Sequence, residues 1–424
     1  MATSIDHYAA PEEVKRLAAA PELAAQLNTC AIKKPFVFFA GFDGTNNDKN
    51  NLALSGSPYQ TNIGNLYDMA KKKMDDDPAH FQSRYYPGVG TGGEHGNRWN
   101  AGPAPTVPLR AIASQAYDDF AYEAYRYLQS TPGAKVEDLS AVTAGFSRGN
   151  AAQVMFARMI DEQGLKLRDG TVVAPPHTVP ISGMVMIDPV YTNVQGDLSL
   201  PGNVHGDVLA WGAEDELRAL FKRADYANDE RVKLLQVPGN HCGLGGGYDQ
   251  HGSAAAVLEG SVNYLRNSGI DLGPVPPQLR FDPARPVPVY SEVQQITRGN
   301  DYPPVVEYNE PVAGAPGQRA TRPVPAPSGV EPRYAQGCEA PRQYGSGVVT
   351  SNSSVKEMFY ALTDAVQRND VQGMKQATQA FRDSPQGQAE LELGRQILQR
   401  REQERAAQQQ QGQPPAEPEM HISH

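Results

Sequence analysis

The stretch AVTAGFSRGNAAQVMFARM, residues 141–159, constrains the fold of this chain more than any other. An apolar run ends in Gly-x-Ser-x-Gly and passes at once into a helical pattern, so it reads as a buried strand, a sharp turn and a helix. Such a turn lifts a serine hydroxyl clear of the backbone. Small residues are needed two before and two after it, because side chains there would collide across the bend. Gly145 and Gly149 supply them, with Ser147 between. The five-residue pattern is common enough by chance that its meaning depends on the rest of the chain.

Further strands alternate with helices. KPFVFFAGFDGTNND reads as a strand running into a Gly- and Asn-rich turn. TNIGNLYDMAKKKM reads as a helix capped by Thr61 or Asn62, and FQSRYYPGVGTGG as a strand and glycine loop. A long helix over 108–130, a strand over 139–144 and a helix over 150–161 follow. Then come a strand over 181–190, a helix DELRALFKRA, a strand over 231–239 and a helix ending at Gly269. This alternation predicts an α/β fold, a mostly parallel sheet of α/β-hydrolase type with helices on both faces. In such sheets chemistry gathers at the carboxyl ends of the strands. Asp43, Ser147, Asp188 and His241 each lie just past a predicted strand.

An ester hydrolase needs a histidine base for its serine and a carboxylate to orient that histidine. In this fold the chain order is Ser, acid, His. Asp188 ends the strand ISGMVMIDPV, and His241 follows the last strand in VPGNHCGLGGGYD. Asp161 and Asp215 are the alternatives for the acid. A backbone N–H of Phe42 or Asp43, together with that of Arg148, is the candidate oxyanion hole. Asp43 reads equally well as an Asx-turn residue. YYPGVGTGG lacks the Lys-Ser/Thr of a phosphate loop and reads as a wall of the site. Cys242 reads as a packed thiol. His241 and His251, with a glycine-rich loop between them, make a poor metal pair, and no metal or cofactor is expected.

The motifs FAGFDGTNND, TNIGNLYDM, YYPGVGTGG, GFSRGNA, MIDPV and PGNHCGLGGGYD occur in one order over roughly 34–266. In this they resemble a bacterial α/β-hydrolase family best known for the phospholipase effectors of type VI secretion systems. The resemblance implies a serine lipase acting on membrane phospholipid esters of rival cells, with Ser147 as nucleophile, Asp188 as acid and His241 as base. It also implies peripheral contact with a target membrane, a cognate immunity protein and a secretion-machinery partner. Two departures stand out. Gly243 replaces an acidic residue usual two positions after the histidine, and Asp188-Pro189-Val190 replaces Asp-Thr-Val.

The net charge of −10 and the lack of a long basic run argue against a nucleic-acid partner. The opening MATSIDHYAAPEEVK has neither a basic n-region nor an apolar h-region. The expectation is therefore synthesis in the bacterial cytoplasm without a cleaved signal, and export through a secretion system. The expected organisation is an N-terminal helical arm (1–30), a catalytic domain (31–310) and a Pro/Gly-rich linker (311–350). A C-terminal helical region (351–405) and a Gln/Pro-rich tail (406–424) complete it. On this reading, cutting near Ala313 leaves an active hydrolase. Competing readings are a carboxylesterase for small or polymeric esters and a non-catalytic scaffold associated with secretion.

Overall fold

The computed structural model describes residues 3–97 apart from 30 and 32, then 102, and 104–292 apart from 217. It further describes 294–296, 305–307, 319, 321–327, 371–385, 388 and 392. The elements begin with β1 (Thr3–Tyr8), α1 (Pro11–Ala24), β2 (Phe36–Phe42), α2 (Asn62–Asp76), β3 (Phe81–Tyr86) and α3 (Thr106–Ser130). They continue through β4 (Leu139–Phe146), α4 (Gly149–Gln163), β5 (Leu165–Lys166), β6 (Val172–Ala174), β7 (Ile181–Ile187) and β8 (Val208–Ala213). Next come β9 (Arg223–Asp225), β10 (Val232–Val237), α5 (His241–Gly245), α6 (Gly252–Asn267) and β11 (Pro288–Glu292). Three short strands follow, β12 (Gln294–Ile296), β13 (Val305–Glu307) and β14 (Thr321–Pro323), and then the helix α7 (Val371–Asp383).

β2, β4, β7 and β8 are buried at every position, as strands covered on both faces must be. They form the middle of a six-stranded sheet in the order β10-β8-β7-β4-β2-β3, with every pairing parallel. β2 shows how one strand serves two cores. Phe36, Phe38, Ala40 and Phe42 pack with α3 and α4 on one face. Val37 and Phe39 pack with α1, α2 and α6 on the other. The chain leaves β2 toward one face and β4 toward the opposite face. The carboxyl ends of these neighbours therefore form a crevice at a topological switch point, where open α/β sheets bind ligands.

The amino-terminal helix belongs to this core. Leu17 and Ala24 are fully buried. α6 holds the arm through Asn263 Nδ2, which donates to Pro21 O (3.2 Å), and Asn267 Nδ2, which donates to Ala25 O (2.8 Å) and Leu27 O (2.9 Å). Gly260 is required here, since a Cβ on it would sit 2.5 Å from the Trp211 ring.

Three features differ from the sequence reading. Among its described residues DELRALFKRA forms no α-helix, only a 3-10 turn at Ala219–Phe221: Glu216 accepts from the backbone and guanidinium of Arg218, and Arg223–Asp225 is drawn out as β9. A buried ion pair and a strand partner outweigh helix propensity there. β8 and the β1–β11 antiparallel pair are additional strands. The third is β14, which lies inside the stretch read as linker and pairs in parallel with β9. Val324 just beyond it is buried in the core.

The chain divides into two compact units, Met1–Glu339 and Ala340–His424. In the second, α7 falls within the predicted helical region. The helical patterns over 354–370 and beyond 392, and the tail 406–424 with His421 and His424, lie outside the described residues.

If α1 completes the core, Leu17→Ala opens a cavity and costs about 2–5 kcal/mol. Urea unfolding with an unchanged slope and a lowered midpoint is the expected result. A change within about 0.5 kcal/mol, as at an ordinary surface site, would mean that the arm is dispensable.

Candidate active site

Ser147 follows β4 with φ 55°, a left-handed conformation that non-glycine residues adopt only when held there. The neighbouring glycines show what holds it. A Cβ on Gly149 would lie 2.3 Å from Phe42 O, and one on Gly145 would lie 2.4 Å from Gln153 Oε1. Two polar residues of α4 lash the turn to the sheet. Asn150 Nδ2 donates to Ser147 O (3.0 Å) and Ile187 O (3.1 Å). Gln153 Nε2 donates to Thr143 Oγ1 (2.7 Å) and Val185 O (3.2 Å). The sequence reading missed both. Their signal is two amide side chains three apart in the first turns of a helix whose residues from Ala151 to Ala157 are otherwise apolar.

Asp188 leaves β7 with φ 40°, a second strained residue on the same rim. Its carboxylate is wholly buried. Oδ2 lies 2.5 Å from His241 Nδ1, and Oδ1 accepts from Ala213 N (3.0 Å). Arg319 adds a two-pronged contact, Nη2 to Oδ2 (2.8 Å) and Nη1 to Oδ1. Burial alone would raise the Asp188 carboxyl. The Arg319 charge and the His241 hydrogen bond outweigh it and hold the group well below the usual carboxylate range. Pro189 leaves this geometry intact, and its carbonyl accepts from Ala224 N (2.8 Å).

His241 opens α5, capped by Asn240, whose Oδ1 accepts from Gly243 N (2.9 Å). Gly243 thus anchors the histidine turn through its backbone. The imidazole stacks on Phe146 at 4.7 Å and meets the edge of Phe221 at 4.9 Å. Its backbone N–H donates to Glu216 Oε2 (3.3 Å). Phe146 is the residue before Ser147, so the same ring that walls the base leads into the turn. With Nδ1–H donated to Asp188, Nε2 is the basic nitrogen. The structure brings Asp188 and His241 into direct contact. The Ser147 hydroxyl has no hydrogen bond among the described residues. Asp161 instead pairs with His177 (Oδ1 to Nδ1, 3.1 Å). Asp215 accepts from Gly239 N (2.6 Å), so it braces the histidine loop and caps no helix.

The expected oxyanion donors need correction. Asp43 N–H is spent on Tyr86 O (3.0 Å). Phe42, paired on both sides within the sheet, has its amide committed to the ladder. The amide of Arg148, at the start of α4, has no hydrogen-bond partner among the described residues. The Arg148 guanidinium ties two rim loops together, through Nη1 to Thr45 Oγ1 (3.0 Å) and Nε to Thr192 O (3.1 Å). It pairs with no carboxylate among the described residues, and burial lowers it to about 10.

Asp43 organises the loop after β2. Its carboxylate accepts from Tyr85 Oη (2.6 Å), Thr61 Oγ1 (2.8 Å) and Gly44 N (2.7 Å). Gly88 must be glycine for this loop to close, since a Cβ would overlap Gly44 O at 1.7 Å. Burial raises Asp43 from the ordinary 3.8 to about 6, against the three hydrogen bonds that lower it. Between those two values the folded chain holds a proton that the unfolded chain has lost, so stability falls as pH rises. The shift corresponds to about 3 kcal/mol. Asp43→Asn removes the titration. The wild-type-minus-variant difference in unfolding free energy should therefore drop by about that amount between pH 3 and pH 7, read from urea midpoints. A flat or rising difference would show that Asp43 stays ionised throughout.

Residues 37–176 match the family model described as T6SS, Phospholipase effector Tle1-like, catalytic domain. Among solved structures, an uncharacterized protein from Pseudomonas aeruginosa is 16% identical, covering 65% of this chain and 51% of its own, with a TM-score of 0.41. The Tle1 effector bound to the VgrG spike from the Type 6 secretion system is 20% identical, covering 52% of each chain, with a TM-score of 0.35. Esterase PE8 is 13% identical, covering 50% of this chain and 86% of its own, with a TM-score of 0.24. This chain spans about half the length of the first two. No curated protein matches it. The resemblance to the type VI secretion phospholipase effectors, carried by the ordered motifs, holds in the family model over the segment from β2 through Ser147 and α4 to β6.

Proposed function

We propose that this protein is a serine ester hydrolase of the phospholipase effector type, acting through Ser147, His241 and Asp188. The observation that carries the reading is the buried Asp188–His241 hydrogen bond beside a serine held in the left-handed conformation on the same rim. Ser147 Oγ attacks the ester carbonyl while His241 Nε2 takes its proton, and the imidazolium is stabilised by Asp188. The tetrahedral oxyanion receives the Arg148 amide at the start of α4. His241 then returns the proton to the leaving alcohol, and a water activated by the same nitrogen hydrolyses the acyl-enzyme.

Ser147→Ala should fold normally and lose ester hydrolysis, and a fluorophosphonate should label the wild type on the Ser147 peptide alone. Asp188→Asn should cut kcat by about 10²–10⁴, as removal of the orienting charge does in serine proteases. Asp161→Asn and Asp215→Asn should stay within a few-fold of wild type. Retained activity in folded Ser147→Ala would defeat the assignment of Ser147 as nucleophile, whereas a wild type without ester hydrolysis would leave the scaffold reading standing.

A phospholipid is favoured over a neutral ester by Arg148, a cation next to the nucleophile that pairs with no carboxylate among the described residues. A phosphodiester close to the scissile ester is the anion such a group recognises. Arg148→Met should therefore lower the ratio of phospholipid to triglyceride hydrolysis by about tenfold or more, the worth of one charge-assisted contact. An unchanged ratio favours the carboxylesterase reading. Delivery by a secretion spike, contact with a target membrane and neutralisation by an immunity protein belong to the same proposal and rest on the family resemblance.

A further inference from the structure

We infer that Arg319 is a positioning residue for Asp188, and that Arg319 with residues 321–327 forms a strap completing the catalytic site from a segment far along the chain. The inference rests on the triad reading above. The guanidinium uses both ends. Nη1 reaches Asp188 Oδ1 and Ala213 O (3.1 Å), and Nη2 reaches Asp188 Oδ2 (2.8 Å) and Phe221 O (2.7 Å). One side chain thus fixes the carboxylate, the end of β8 and the residue whose ring edges His241.

The strap is anchored independently of that contact. β14 pairs with β9, Thr321 Oγ1 donates to Asp225 Oδ2 (3.2 Å), and Val324 N donates to Asp225 O (2.8 Å). Arg322 Nη1 donates to Tyr191 O and Nη2 to Val194 O (3.4 Å), closing over the loop that leaves Asp188. The strand pairing and these anchors set where Arg319 enters, so its position does not depend on Asp188 alone.

A wholly buried carboxylate needs a compensating charge, and leaving it unpaired is strongly unfavourable. A histidine that alternates between neutral and charged cannot supply that compensation throughout a reaction cycle. Arg319 remains charged at every step. Asp188 can therefore stay ionised while His241 is neutral and ready to accept the serine proton. Without the guanidinium, the Asp188–His241 pair faces an uncompensated negative field and takes up its proton at higher pH. Among the described residues, the other charged groups around the pair are Asp215 and Glu216 with Arg218 after β8, and Arg223 on β9. All of them remain when only Arg319 is changed.

On this inference, a cut near Ala313 does not leave an active hydrolase. Such a cut removes Arg319 and β14 together.

The test uses the full chain and a short-chain chromogenic ester, with kcat/KM measured across pH for wild type, Arg319→Ala, Arg319→Lys and Asp188→Asn. Arg319→Ala should lose about 10²-fold at neutral pH, the scale of a small misplacement of catalytic groups. Its acid limb should move up by about one pH unit, the effect of removing one close charge. Added guanidinium ion should restore part of the rate in Arg319→Ala and none in Asp188→Asn. Arg319→Lys keeps the charge but not the fork, so its limb should stay near wild type while its rate falls. A limb that stays put in folded Arg319→Ala, with rate loss matching only the unfolded fraction, would overturn the inference.

Should Arg319→Ala fail to fold, the Lys variant decides, because a limb displaced as far as the Ala variant's predicted shift would also overturn it. The low-field proton NMR signal of the Asp188–His241 hydrogen bond, titrated in wild type and Arg319→Lys, reads the pair without any turnover. A wild type that neither hydrolyses esters nor reacts with fluorophosphonate defeats the triad reading itself, and is told apart from failure at Arg319 by that signal.

Discussion

A carboxylate with no exposure to solvent sits at the carboxyl end of β7, and much of the site is arranged around keeping it charged. Its two oxygens accept from a backbone amide, an imidazole and both prongs of a guanidinium. Each donor arrives from a different part of the chain: the end of β8, the first residue of α5, and the strap before β14. Placing one negative charge in the interior therefore ties together three segments that no local preference would bring near each other. Loss of any donor leaves a buried charge short of partners, and that penalty exceeds what the contact contributes when made.

Strain is the second constraint. Ser147 and Asp188 both lie in the left-handed region without being glycine, and each is fixed by backbone contacts that leave no slack. Ser147 N donates to Ile187 O, and Val190 N returns to Ser147 O, so the two strained turns brace each other across β4 and β7. Asn150 spans the same two strands. The elbow and the acid turn consequently form one unit, and distortion of either is felt at both.

How much of this was legible in the sequence depends on how local the cause was. The buried strands of the sheet centre, the elbow and the order of Asp188 and His241 follow from apolar runs and small residues within short windows, and the structure agrees with them. β8 went unread because VLAWGA is short and is followed by acidic residues that resemble a helix start. DELRALFKRA has helical composition, but its Glu216 and Arg218 are buried against each other, which composition does not reveal. Phe42 and Asp43 fail as oxyanion donors because a free amide depends on which ladder bonds form, and those are tertiary facts; Arg148, outside the ladder, keeps its amide free among the described residues. Arg319 was invisible for the same reason: a lone arginine in a Pro- and Gly-rich stretch carries no period and no cap.

The family model covers Ser147 and the loop around Asp43 and stops before Asp188, His241 and Arg319. The two halves of the site have opposite electrostatic design. Beside Ser147, Arg148 is a buried cation tied, among the described residues, to a hydroxyl and a carbonyl and to no carboxylate. Beside the base, Asp188 is an anion whose charge is met by Arg319 and His241 and is closed to any ligand. A substrate approaching the rim therefore meets a positive field at the elbow and a balanced one behind the histidine. On the proposed function, that asymmetry suits an ester carrying a phosphate, whose anion is drawn to the Ser147 side.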